Sequence, residues 1–416
     1  MTDPTAFPIR RNTFLLASAF AVNSAAIQLV AAVSSLTFVV VTGYEGLLGL
    51  GPAIFLTSAA LIAVPAGRAM DRFGRVPVLA AGFACGILGG LATGLGARTT
   101  AAPVVILGFA LFGFASGTAV LSRTAGGDMY PPERRGRGIA LVLFGAVFGA
   151  ILGPAVFGPL FAGKDLVPKD LMLPWFAAAG LEAAGLALVV CVRPDPRRIA
   201  ELYAPPRAHD APKPEAAPLA EILRRPGVLP ALVAALASFA VMVSVMNLAG
   251  YVVVGHHHHG QSSVFPIIGA HVVGMYALVL VVGDVVDRLG RRPVLVGGLL
   301  VMGASCAGLV WGESVGVTAF LLFGLGLGWN LSWVAAAAEM VDRTAPHERG
   351  RLLGFSDLLG ALTGAGLALL GGYALEALGV LALSFGAAAL AIAPALWIAR
   401  GGVPRPDRPL ATISGR

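Results

Sequence analysis

Met242 and Met246 stand four residues apart, and so do His271 and Met275. On a helix that spacing sets both members of a pair on one face. Three thioethers and one imidazole form a soft, net-neutral donor set that suits Cu(I) better than Mg²⁺, Ca²⁺ or Mn²⁺. Methionine has no proton to lose, so His271 alone would make binding depend on pH near neutrality. Between the pairs runs Gly255-His256-His257-His258-His259-Gly260. It reads either as a flexible capture loop for metal ions, with little selectivity among them, or as a polar turn. Cys85, Cys191 and Cys306 are too widely spaced for a disulfide framework or a zinc knuckle.

The elements that must carry these residues are apolar. Of 416 residues, 57% are hydrophobic and 12% charged, against about 25% charged in a soluble domain, which excludes an ordinary soluble enzyme. A bilayer core needs about 20 apolar residues per helix. Runs of that kind predict spans at 13–42, 49–66, 77–97, 103–125, 138–162 and 172–192, then at 229–255, 264–283, 293–311, 317–340, 353–375 and 379–399. The expected fold is an all-α membrane protein with twelve transmembrane helices in two six-helix bundles, 1–192 and 229–416, joined by a Pro-rich linker at 193–228. The seventh and eighth spans then run antiparallel through the histidine loop. Equal distance from that loop matches Met246 with His271 in depth and Met242 with Met275, roughly 10 to 20 Å below the outer surface at the helical rise. The net charge of +7 could suggest nucleic acid, but 25 of the 29 Lys and Arg fall on the termini, the linker and the even-numbered connections. That asymmetry predicts cytoplasmic termini and no nucleic-acid partner; the lipid bilayer is the surrounding medium.

One loop is written twice. Gly67-x-x-x-Asp71-Arg72-x-Gly74-Arg75 follows the second span, and Gly283-x-x-x-Asp287-Arg288-x-Gly290-Arg291-Arg292 follows the eighth, 216 residues later. Asp128, Pro132 and Arg135-Gly136-Arg137 follow the fourth span, and Asp342, Pro346 and Arg349-Gly350-Arg351 follow the tenth, 214 residues later. Duplicated loops at matching points predict an internally duplicated transporter. Over nearly its whole length the chain resembles the major facilitator superfamily, whose signature loop this is; the first copy departs at Val76, where that family has a basic residue. The glycines are expected to permit a tight turn, and Asp71, Arg72 and Arg75 to pair with Asp128 and with the start of the eleventh span at Asp357. The resemblance implies alternating access, with the repeated loops, Arg135 and Arg349 included, latching the halves on the cytoplasmic side in the outward-open state.

Met-x-x-x-Met in the seventh span and His-x-x-x-Met in the eighth resemble the CcoA-type copper importers, the Calamari transporter branch. That likeness implies a monomeric, secondary-active importer of the bacterial inner membrane, with copper as substrate, no tightly bound cofactor and no catalysis. It also implies supply of cbb-type cytochrome c oxidase assembly, with a copper chaperone or exporting ATPase downstream. The branch holds riboflavin carriers as well. Gly145-x3-Gly149-x3-Gly153-Pro154-x3-Gly158 is similar to the glycine-proline motif of proton-coupled drug antiporters and equally fits a close-packing stripe, which leaves an efflux antiporter open. A metal sensor on a transporter scaffold is the reading from another class. Asn23, Gln28, Asn247, Asn330, Trp329 and Trp333 are secondary candidates for lining a cavity. Glu182 is a candidate proton site, although no partner for it is identifiable and the sixth span lies outside the cavity in this superfamily.

Overall fold

The computed structural model describes residues 7–131, 134–162, 167–203, 217–312 and 314–402. Pro132, Lys164 and the linker prolines 205, 206, 212 and 214 lie outside these residues, as does the side chain of Arg349. Among the described residues the regular elements are all helical. The first six spans are built from α1 (Ile9–Thr42), α2 (Leu50–Phe73), α3 (Arg75–Arg98), α4 (Ala102–Ala119) continued by α5 (Ser122–Asp128), α6 (Arg135–Phe161) and α7 (Met172–Val190). Two short helices, α8 (Pro196–Leu202) and α9 (Leu219–Arg224), lie in the linker region. The second set comprises α10 (Val228–Tyr251), α11 (Val264–Tyr276), α12 (Val279–Leu289), α13 (Arg291–Gly308), α14 (Val315–Asp342) and α15 (Pro346–Trp397). Lipid offers no hydrogen bonds, so chains this apolar satisfy their backbone internally as helices.

Among the described residues ten helices are long and apolar enough to cross a bilayer, and two features raise the number of spans to twelve. The 264–283 run, expected as one straight span, is broken after Tyr276, and its two pieces meet at 51°; together they form one bent span. The 52 residues of α15 would extend about 78 Å if straight, far beyond a hydrocarbon core of about 30 Å. Gly379, with φ 75° and ψ −172°, interrupts it. Hydrogen bonds identify this break as a reversal. Glu348, at the start of α15, pairs with Arg225 just ahead of α10, and Ile398, just past its end, accepts from Arg292 at the start of α13. Both ends of α15 therefore lie on one face of the molecule, and Gly379 on the other.

The same face gathers further arginines among the described residues. Arg11 and Asn12 donate to the Arg193 carbonyl at 2.9 and 3.1 Å, and Arg197 donates to the Arg72 carbonyl. The start of α1, the α2–α3 junction and the exit of α7 thus meet there.

The Arg225–Glu348 contact is a fork of two charge-assisted bonds, 2.6 and 2.9 Å, of the geometry that makes arginine–carboxylate pairs strong. Glu348 also accepts from the backbone N–H of Ala345 and of Ala217. The Arg225 bonds first, then the Ala345 bond, hold its carboxyl down to about 2 from an ordinary 4.5. A carboxyl depressed on folding stabilises fully above its unfolded value and loses that contribution as pH falls toward the folded one. Wild-type protein in detergent is expected to lose thermal stability through this contact as pH drops from about 4.5 toward 2. Glu348→Gln, less stable at neutral pH, should lose less over that interval in a parallel melting series.

Candidate functional site

Each repeat builds the same cluster on the arginine-rich face. Arg75 donates to Asp128 at 2.7 Å and to Asp71 at 3.2 Å; Arg291 donates to Asp342 at 3.1 Å and to Asp287 at 2.8 Å. Every partner lies within its own half. Gly74 (φ 100°) and Gly290 (φ 88°) turn the chain between helices in a region of backbone space that L side chains rarely adopt, which explains why this loop position is glycine in both copies. The expectation of turn-forming glycines does not extend to Gly67 and Gly283, which sit inside α2 and α12 facing open space. Asp195 caps α3 from the linker side, accepting from the N–H groups of Arg75 and Val76 at 3.1 and 2.8 Å. Arg72 lies over the ring of Phe73. Arg288 closes α12 and Arg135 opens α6. Asp357 has a different partner from the one expected: Arg123 donates to it at 3.3 Å, joining the two halves.

The four soft residues are all buried. Met242, Met246 and Met275 belong to one large apolar cluster. His271 is fully enclosed, its Nδ1 lying 2.8 Å from the Leu322 carbonyl of α14, while Nε2 has no hydrogen-bond partner. The two pairs stand on helices that touch each other little, while α14 packs against both. In the histidine loop His256 rests edge-on against Tyr251, and His257 against His259. Among the described residues no three of His, Cys, Asp and Glu gather as a metal site.

The space lies elsewhere. A cavity of about 350 Å³ opens between the halves toward the arginine-rich face, within the range of about 300–1,000 Å³ usual for small-molecule sites. Aromatic side chains stand in its otherwise mainly aliphatic wall: Phe20, Phe55, Phe239, Tyr276, Trp329 and Trp333, contributed by α1, α2, α10, α11 and α14. Trp329 and Trp333, one helical turn apart, stack at 5.3 Å and 18°. Tyr276 meets Trp329 edge-on at 6.1 Å. Arg123 and Asp357 supply the charged part of the lining. Trp329 and Trp333 were legible as rare aromatics within a span, whereas Tyr276 and Arg123 carried no signal beyond their residue type.

On the opposite face the halves touch backbone to backbone. A Cβ at Gly49 would collide with the backbone of Ala368 and Leu369, and one at Gly250 with the carbonyl of Ala32. Ser35 Oγ donates to the Asn247 carbonyl at 3.2 Å, and Phe265 of α11 stacks on Phe157 and meets Phe161 of α6 at a tilt.

Twelve spans around a cavity that is sealed on one face and open on the other define a membrane transporter. The chain belongs to the Major Facilitator Superfamily, whose family model matches residues 13–278 and 267–416. It is 31% identical over 366 residues to the uncharacterized MFS-type transporter YdeG of Bacillus subtilis (strain 168), covering 86% of this chain and 85% of that protein. It is 29% identical over 369 residues to the riboflavin transporter RfnT of Brucella anthropi, covering 86% and 87%. Its fold is similar to that of a D-xylose-proton symporter (TM-score 0.74, 16% identity, 95% and 98% covered). An inward-open structure of the xylose transporter XylE from E. coli also shares it (TM-score 0.73, 14% identity, 95% and 96% covered).

Proposed function

We propose that this transporter imports a planar heteroaromatic solute of the flavin class, riboflavin foremost, and binds it in the cavity walled by Trp329 and Trp333. The observation that carries the reading is that wall. Stacked indoles offer a flat, polarisable surface to a ring system, and the Arg123–Asp357 pair gives hydrogen-bonding groups to its polar edge. Likeness to a riboflavin transporter over 86% of the chain supports it. The excess of Lys and Arg on the cavity's open face supports a cytoplasmic location for that face and for both termini in a bacterial inner membrane. The solute is then released inward when the halves, 1–192 and 229–416, rock about it.

Copper import through Met242, Met246, His271 and Met275 is the second reading. It is favoured by the buried, unpartnered His271 Nε2 and weakened by the position of all four outside the cavity lining.

Tryptophan fluorescence of the purified protein separates the two. Riboflavin is expected to quench it saturably, and Trp329→Leu with Trp333→Leu to remove most of the quenching, while a Cu(I) titration leaves the signal unchanged. Tight Cu(I) binding that is lost in His271→Ala, together with no response to riboflavin, would replace the first reading by the second.

A further inference from the structure

Glu182 sits midway along α7, fully buried within the span. Asn23 Nδ2 of α1 donates to its Oε1 at 2.9 Å. Its other oxygen, Oε2, has no hydrogen-bond partner. Room for that oxygen comes from Gly86 of α3, where a Cβ would lie 2.7 Å from it. Among the described residues no cation forms an ion pair with it. The titratable groups on elements packed against α7 are Arg10 and Arg11 at the start of α1, Arg75 and Arg98 at the two ends of α3, and Arg135 and Arg137 at the start of α6. Lys169 and Asp170 lie ahead of α7, and the thiol of Cys85 adjoins Gly86. Arg75 and Arg98 stand 11 and 12 residues from Gly86, about 17 Å along the helix. An ionised carboxylate held by one neutral amide in an apolar interior is costly, and intramembrane carboxyls of this kind serve ion and proton pathways.

Asn23 ties this group to the moving parts. One turn below it, Phe20 lines the cavity. Further along the same helix, Ala32 and Ser35 form the seal against Gly250 and Asn247 of α10. Helix α1 is therefore the element that touches the carboxyl, the cavity and the opposite half.

We propose that Glu182, held by Asn23, is the proton-binding site through which this carrier couples to the transmembrane proton gradient. Gain or loss of the proton changes the Asn23–Glu182 bond, and with it the seating of α1 on α7 and the stability of the seal that α1 makes with α10. The proposal does not depend on the identity of the solute.

Its test needs no solute. Spin labels at Phe73→Cys and Leu289→Cys, exposed positions on the arginine-rich face, report the spread of the halves in full-length protein reconstituted in lipid, with the native cysteines replaced by serine. In otherwise wild-type protein, acid pH is expected to enrich the longer distance of the cavity-open arrangement, in which Glu182 is enclosed and protonation would remove the cost of a buried charge. The ratio of populations should change by up to about tenfold per pH unit, the limit for one proton. Glu182→Gln keeps the shape and a hydrogen bond but cannot titrate, and its ratio should not move with pH. Asn23→Ala removes the donor to the carboxylate, so its midpoint should move to higher pH. A Glu182→Gln protein that still follows the wild-type pH curve, or a wild-type ratio indifferent to pH, would overturn the proposal and leave Glu182 as helix-packing glue.

Discussion

Trp329→Ala is expected to raise the KM for riboflavin about 5- to 100-fold with little change in maximal rate. Stacking of a base on an aromatic side chain contributes about 1–3 kcal/mol, and each 1.4 kcal/mol is about tenfold in affinity. Trp329 is the central ring of the wall, with Trp333 stacked on one side and Tyr276 meeting it edge-on, so its removal also releases both neighbours. Trp329→Phe keeps a flat face and should recover most of the affinity, whereas Trp329→Leu keeps bulk without stacking and should not. Initial uptake rates over a range of riboflavin concentrations make the comparison. An unchanged KM in Trp329→Ala would place the solute somewhere other than against this wall.

A second large effect is expected far from the cavity. Gly250→Val should reduce transport about five- to a hundredfold by preventing closure of the sealed face. At this position the obstacle is backbone, the Ala32 carbonyl, which cannot swing aside as a flexible side chain would. Overpacking at such a contact costs about 1–3 kcal/mol, and the cost falls only on the arrangement in which α1 and α10 touch. The equilibrium therefore shifts toward the opposite opening by about five- to a hundredfold. A distance measurement across the arginine-rich face should show the shorter separation predominating, with normal membrane insertion. Gly366→Ala is the control, because a Cβ there meets nothing within 4 Å and transport should stay near wild type. A Gly250→Val protein that transports normally would mean that this contact is not the seal.

The repeated loop was the most legible part of the molecule. Its Gly74 and Gly290, its Asp–Arg–Asp clusters and their shared face follow from local spacing and charge, and the structure places Arg75 and Arg291 in equivalent triads. Span boundaries were legible where apolar runs end in charge or proline. They were less so at 264–289, where the bend after Tyr276 leaves no composition change. The cavity was largely hidden, since five of its six aromatic residues belong to different helices, and only packing brings those helices together. Rare residue types drew attention to Met242, Met246, His271 and Met275, and periodicity correctly put each pair on one helix. Periodicity says nothing of what lies between two helices, and α14 packs against both. Asp357 shows the same limit: charge and position suggested it as a partner for the loop arginines, while the choice of Arg123 over Arg75 depends on the relative positions of the two halves.

Uptake by purified protein reconstituted in sealed vesicles tests the central claim most directly, with radiolabelled riboflavin and radioactive Cu(I) offered to parallel samples of one preparation. Protein-dependent, saturable entry of riboflavin, competed by unlabelled riboflavin and absent for copper, is the predicted result. Protein-dependent entry of copper with no entry of riboflavin would contradict it and move the site to Met242, Met246, His271 and Met275.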